Sequence, residues 1–167
     1  MRRLAALLLA LHPVVTEAQE GWWLTASRPD GAMLYHCGDL CRDEKLVCVH
    51  FSQPGPDRLK VQDLVDEMLV PWGQIDFSTA SAVLEDRDLV GVSDISGGGR
   101  LEGPQIIAFD GSDWATARYG FETLAGEAVN IDLLLWPDGT KLQGLRCSYR
   151  AGTNAVPLIQ DLAGSLR

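Results

Sequence analysis

Residues 129–149 read VNIDLLLWPDGTKLQGLRCSY, and this stretch decides the fold prediction. Two largely apolar segments, 129–136 and 141–149, flank the dipeptide Asp138-Gly139. Asp-Gly is a preferred pair at the tip of a type I′ hairpin because both of its residues tolerate positive φ. The sequence therefore predicts an antiparallel hairpin that turns at Asp138 and Gly139.

The same pattern recurs elsewhere in the chain. Segments 106–109 and 114–119 flank Asp110-Gly111, and segments 22–26 and 33–37 flank Asp30-Gly31. Each of these pairs predicts another hairpin. In segment 46–51 the side chains alternate, so Val47, Val49 and Phe51 are expected to face the core. The other side is expected to consist of Leu46, Cys48 and His50.

Two segments have apolar residues at helical rather than strand spacing. Leu64, Val65 and Met68 recur in a segment that predicts a helix over about 58–70, and Leu158 and Leu162 recur in one over about 155–166. Hairpins with two helices predict the α+β class: an antiparallel β-sheet of hairpins with two packed α-helices, stabilised by disulfides. Thr153 and Asn154 are candidate caps for the second helix.

The N-terminus has the pattern of a secretory signal. Arg2 and Arg3 precede an apolar run over 4–11, Pro13 interrupts it, and Ala18 supplies a small residue for cleavage. We predict a signal peptide over 1–18, cleavage near Ala18 and one globular domain over 19–167. No later apolar run reaches the about 20 residues that a bilayer requires. The mature chain is therefore expected to be soluble and periplasmic or secreted.

The chain carries a formal net charge of −9 at pH 7. An acidic domain repels nucleic acid, so nucleic-acid binding is not expected.

The chain contains four cysteines. An even count in an exported chain predicts disulfides, and we predict the pairs Cys41–Cys48 and Cys37–Cys147. The alternative is a zinc or copper site formed by Cys37, Cys41, Cys48 and His50, or redox chemistry at the same residues.

No catalytic motif is present, and no catalytic residue or cofactor is predicted. Trp22 and Trp23 are adjacent, so one of the two faces outward if they lie on a strand, and exposed Trp is enriched at binding hot spots. Arg100 follows a glycine run over 97–99, which is typical of a loop beside a binding site. Trp22, Trp23 and Arg100 are therefore the predicted ligand- or partner-binding residues.

Three function classes stay open at this point. The preferred hypothesis is a non-enzymatic binding or accessory protein of the cell envelope, whose partner is another envelope protein or a small ligand. The second is a small hydrolase whose site includes His50 or the acidic cluster of Glu85, Asp86 and Asp88. The third is the metal-binding or redox protein described above.

Overall fold

The computed structural model describes residues 17–19, 22–27, 31–38, 46–69 and 95–167. Their strands are β1 (Glu17–Gln19), β2 (Trp22–Ser27), β3 (Met33–Cys37), β4 (Val47–Pro54), β5 (Ile95–Phe109), β6 (Ser112–Thr123), β7 (Ala128–Asp138) and β8 (Lys141–Arg150). Their helices are α1 (Val61–Leu69) and α2 (Val156–Ser165), so both predicted helices are present. No helix of this described part is long and apolar enough to cross a membrane.

The strands form one antiparallel sheet in the order β1-β2-β3-β4-β8-β7-β6-β5. Strands β1 to β4 are neighbours in chain order, and so are β5 to β8. Pairing of β4 with β8 joins these two four-strand units at the centre of the sheet. The connection that contains α1 therefore leads from β4 at the centre to β5 at the edge.

All three predicted hairpins are confirmed by strand pairing, but one turn type is wrong. Between β5 and β6 the turn residues are Asp110 and Gly111, both with positive φ, as a type I′ turn requires. Between β7 and β8, Asp138 pairs with Lys141, so the central residues are Gly139 and Thr140, and only Gly139 has positive φ. That is the pattern of a type II′ turn, with glycine first.

Each face of the sheet shares a buried cluster with residues of one helix. On the α1 face, Leu133 and Leu135 of β7 share a buried cluster with Leu64 of α1. On the α2 face, Leu134 of β7 shares a second buried cluster with Ile159 of α2. Because both faces are covered, β7 has a nearly continuous apolar run instead of strict alternation.

Strand β4 follows the same rule. The predicted alternation is present, with Val47 and Val49 in the cluster on the α1 face and Cys48 in the cluster on the α2 face. The residues predicted to face away from the core are nevertheless buried too: Leu46 is 2% exposed and His50 is 7% exposed. The sequence pattern identified the two sides of the strand but not that α2 covers the second one.

The predicted disulfide pairs are wrong. Cys48 is bonded to Cys147, which lies directly opposite it across β4 and β8 at a Cα–Cα distance of 4.1 Å. Cys37 is also disulfide-bonded, with its partner outside the described residues. The prediction paired Cys48 with Cys41 because they are close in sequence, whereas the adjacency of β4 and β8 determines the bond.

The two helices begin differently. In front of α1, the backbone N–H of Lys60 donates to Oδ2 of Asp63 at 2.9 Å, which satisfies a group that the helix leaves unpaired. Helix α2 begins after Ala155 without a side-chain cap, and the Thr153 hydroxyl donates to the Arg150 carbonyl instead. The predicted capping of α2 by Thr153 or Asn154 is therefore wrong.

Strand β1 contains the expected cleavage point. Its residues Glu17 and Gln19 both pair with β2, and they lie on opposite sides of Ala18. Cleavage after Ala18 would leave Gln19 as the first residue of the mature chain, at the edge of the sheet. The signal peptide and the domain boundary at residue 19 stay predictions.

An irregularity in β5 determines which of its side chains share a face. Glu102 pairs opposite Arg118, and Gln105 opposite Thr116, so three steps on β5 match two steps on β6. Without this bulge, residues three apart would point to opposite faces. The extra residue brings Glu102 and Gln105 to the same face.

Gly103 makes this bulge possible. Its φ is +77°, and a Cβ added there would lie 2.6 Å from the carbonyl oxygen of Thr116. Only glycine fits both requirements.

Candidate binding site

A cavity of about 270 Å³ lies between α2 and the strands β5, β6 and β7. Its lining residues come from all four elements: Glu102, Gln105, Ile107, Thr116, Ala117, Arg118, Asp132, Leu134, Val156, Ile159 and Gln160. Ligand pockets for drug-sized molecules range from about 300 to 1,000 Å³. This cavity therefore suits a small molecule or a single side chain of a partner.

Three charged side chains form a row across three strands at the cavity. Strand register places Arg118 of β6 opposite Asp132 of β7 on one side and opposite Glu102 of β5 on the other. Arg118 donates to Asp132 through Nε at 2.7 Å and through Nη2 at 3.0 Å. Its Nη1 donates to Oε1 of Glu102 at 3.3 Å. The guanidinium is thus held by a two-bond contact on one side and a single, longer contact on the other.

The two carboxylates differ in exposure. The Asp132 side chain is 7% exposed, and the Glu102 side chain is 57% exposed. Asp132 also accepts a hydrogen bond at 3.1 Å from the hydroxyl of Tyr149, a residue of β8 that is 2% exposed. Buried charges are tolerated when they are paired and hydrogen-bonded, and Asp132 meets both conditions. Glu102 is instead the solvent-facing member of the row.

These contacts fix the protonation states of Arg118 and Tyr149. The hydrogen bonds to Asp132 raise the pKa of Arg118 above its ordinary value, so the guanidinium stays charged. Burial, followed by the charge of Asp132, raises the pKa of Tyr149 to about 12. Tyr149 therefore remains a neutral donor over the physiological pH range.

The remaining lining is part apolar and part neutral polar. Ile107, Leu134 and Ile159 form an apolar wall, while Gln105 and Gln160 contribute side-chain amides. This wall, two amides and one solvent-facing carboxylate form a surface that can orient a ligand.

The lining lacks the parts of a nucleophilic catalyst. Among the lining residues, Thr116 is the one hydroxyl, and none is His, Cys or Lys. Both lining carboxylates are paired with Arg118. An activated nucleophile needs a neighbouring base or a lowered pKa, and the described lining sets no such base beside Thr116.

The chain matches no protein-family model. A search of curated proteins finds no match. Among solved structures, the chain is similar to the solution structure of cyanobacterial PsbP (CyanoP) from Synechocystis sp. PCC 6803. The two are 14% identical over 95% of this chain and 96% of that one, with a TM-score of 0.47. A likeness at this level assigns neither a family nor a function.

The structure places His50 away from the cavity. His50 stacks on Trp136 at a ring-centroid distance of 5.9 Å, and its Nε2 lies 3.2 Å from Oε1 of Gln143. Gln143 donates its amide N–H to Asp138, so its oxygen faces His50 and we assign the proton to Nε2. Nδ1 has no hydrogen-bond partner among the described residues. Burial lowers the pKa of His50, which stabilises the neutral ring.

These contacts bear on the two alternative hypotheses. Within the described part of the chain, the His50 ring hydrogen-bonds to the Gln143 amide and to no hydroxyl or thiol that a hydrolase would use as its nucleophile. The metal set is contradicted at Cys48, whose sulfur is bonded to Cys147, and at Cys37, which is also disulfide-bonded. Cys41 and the acidic cluster Glu85, Asp86 and Asp88 lie outside the described residues.

The predicted binding residues are not brought together at the cavity. Trp22 is 2% exposed and belongs to the core on the α2 face. The Trp23 side chain lies outside the described residues. Arg100 is half-buried within β5, not in a loop, and it does not line the cavity.

Sequence reasoning missed the charged row of Glu102, Arg118 and Asp132. A signal was present, because Asp132 stands between Ile131 and Leu133 in a strand that was predicted correctly. A charged residue inside a buried strand requires a partner of opposite charge. Identifying Arg118 as that partner needs the register of β6 against β7.

Proposed function

We propose that this chain is an exported, non-enzymatic binding or accessory protein that holds its partner at the cavity between α2 and strands β5 to β7. One observation carries the proposal: a cavity of about 270 Å³ with an apolar wall, two amides and a paired ion cluster. The ion cluster positions polar groups without supplying a free base, which is what a binding site requires.

Export is supported by independent features. The N-terminal pattern is that of a signal peptide, and the Cys48–Cys147 disulfide fits an oxidising compartment such as the periplasm or the extracellular space. The mass of the protein from the exported fraction tests this directly. A chain that begins at Gln19 with no free thiol is the expected result, whereas a retained Met1 would contradict export by cleavage.

Blocking the cavity tests the binding role. We expect fragment-sized ligands, screened by NMR on ¹⁵N-labelled protein, to shift the resonances of residues 116–118 and the side-chain amide of Gln160. Gln160→Trp places an indole in the cavity lining and should abolish the shifts of residues 116–118. Gln62→Trp is the matched control, since Gln62 is an exposed glutamine on α1, which covers the other face of the sheet.

Three outcomes would contradict the proposal. In the first, fragments shift the resonances of no cavity residue. In the second, a folded Gln160→Trp variant shows the same shifts at residues 116–118 as the natural chain. In the third, hydrolysis of a model ester would be lost in a folded His50→Ala variant, which would favour the hydrolase hypothesis.

A further inference from the structure

We propose that the cavity recognises the cationic end of a lysine or arginine side chain on a protein partner. The inference rests on the proposed binding function and names the chemistry of what is bound. It follows from the charge balance of the lining, from the geometry of Arg118 and from the apolar wall.

The charged groups of the lining have a net negative charge. Glu102 and Asp132 supply two carboxylates, and Arg118 supplies one guanidinium. A bound cation would bring this set to neutrality, whereas a bound anion would leave two uncompensated negative charges near one another. Electrostatic complementarity of this kind sets which partners bind and how fast they associate.

The geometry of Arg118 leaves room for a second cation. Its Nε and Nη2 face Asp132 and its Nη1 faces Glu102, so carboxylates lie on two sides of the guanidinium. Of the two Glu102 oxygens, Oε1 accepts from Arg118, and Oε2 has no hydrogen-bond partner among the described residues. An ammonium or guanidinium can approach that oxygen from solvent, because the Glu102 side chain is 57% exposed.

The uncharged lining fits the rest of such a side chain. Lysine and arginine carry a methylene stem that packs on apolar surface while the charged end stays near water. Ile107, Leu134 and Ile159 offer that surface. The amide oxygens of Gln105 and Gln160 are further acceptors for the donors of the cationic group.

The net charge of the whole chain favours the same kind of partner. With a formal net charge of −9, the chain attracts positively charged surfaces at long range. A partner that presents a basic side chain would therefore associate faster at low ionic strength, and salt would weaken the interaction.

The test uses N-acetylated, C-amidated pentapeptides that differ only at the centre: Ala-Ala-X-Ala-Ala, with X as lysine, arginine, norleucine or glutamate. We expect the lysine and arginine peptides to shift the Gln105 and Gln160 amide resonances of the full chain at low salt. Glu102→Gln should weaken this binding about fivefold, which is the size of a partly exposed ion pair. Asp113→Asn removes an exposed charge outside the cavity lining and should change it less than twofold.

Each other outcome is decisive. Equal binding of the norleucine peptide, or an unchanged affinity in Glu102→Gln, would overturn the cationic specificity while leaving a binding cavity in place. Preferential binding of the glutamate peptide would do the same. If no peptide binds but fragments do, this inference fails and the proposed function survives. If neither binds, both fail.

Discussion

The two faces of the sheet are made by the same strands but differ in polarity where β6 meets β7. On the α1 face these strands contribute Ala117, Tyr119, Ile131 and Leu133, all buried in one cluster. On the α2 face the alternate residues include Arg118 and Asp132 beside the cavity. The α1 face stabilises the fold by apolar burial, whereas part of the α2 face is occupied by a polar cluster. This difference is the main reason to propose a binding site under α2.

The largest expected effect comes from breaking the polar cluster. Asp132→Leu leaves the Arg118 guanidinium, whose side chain is 22% exposed, and the Tyr149 hydroxyl without their buried acceptor. Losing one member of a buried ion pair costs about 3 to 5 kcal/mol. Urea unfolding measures this loss. The double variant Asp132→Leu/Arg118→Met should recover at least half of it, and a double variant as unstable as the single one would refute the paired-charge interpretation.

A substitution on the α1 face should behave differently. Leu133→Ala removes a side chain from a residue that is 5% exposed and leaves a cavity, at a cost of about 3 kcal/mol. Because Leu133 and Arg118 lie on opposite faces, adding Arg118→Met should not rescue it. The same unfolding experiment checks this, and strong rescue would show that the two faces are coupled.

The bulge in β5 provides an intermediate effect. Gly103→Ala places a Cβ at a φ of +77° and within 2.6 Å of a backbone oxygen, so we expect a loss of about 1 to 3 kcal/mol. It should also displace Glu102 and weaken binding of the lysine peptide. Gly99→Ala is the control, since a Cβ there meets nothing within 4 Å. Equal effects of the two changes would argue against a special role for residue 103.

The smallest expected effect is the contribution of His50, on the α2 face, to the pH dependence of stability. Its folded-state pKa lies below the ordinary value of 6.5, so the unfolded chain binds more protons between those two values. Stability should therefore fall as pH drops below about 6.5, down to the folded-state pKa. Above about pH 8, where an imidazole of pKa 6.5 or lower is almost fully neutral, the residue should contribute almost no pH dependence.

His50→Gln removes this contribution. We expect the free energy of unfolding of the variant to depend less on pH than that of the natural chain between pH 7 and 5. Identical slopes in the two proteins would contradict the lowered pKa of His50.

Local sequence signals predicted the local structure well. Turn dipeptides such as Asp110-Gly111 identified the hairpins, and helical spacing identified α1 and α2. Apart from the turn type at Asp138-Gly139 and the cap of α2, the predictions that failed depend on contacts between parts of the chain that are distant in sequence. The Cys48–Cys147 bond follows from the pairing of β4 with β8, 99 residues apart in sequence.

The candidate site was not predictable for a related reason. Glu102 and Gln105 are three residues apart, and an uninterrupted strand would place them on opposite faces. Only the bulge at Gly103 puts both at the cavity. Trp22 was predicted to bind a partner for its residue type, but its position under α2 makes it a core residue.

The position of the Cys48–Cys147 bond has a mechanical consequence. The two cysteines have a sequence separation of 99. The segment between them would measure roughly 340 Å if fully extended. Tension applied at the two chain ends passes through the sulfur–sulfur bond, so the covalent backbone through β5, β6 and β7 bears none of it. Helix α2 lies outside that segment. Stretching would therefore peel α2 from the sheet and open the cavity while its strand side stays folded.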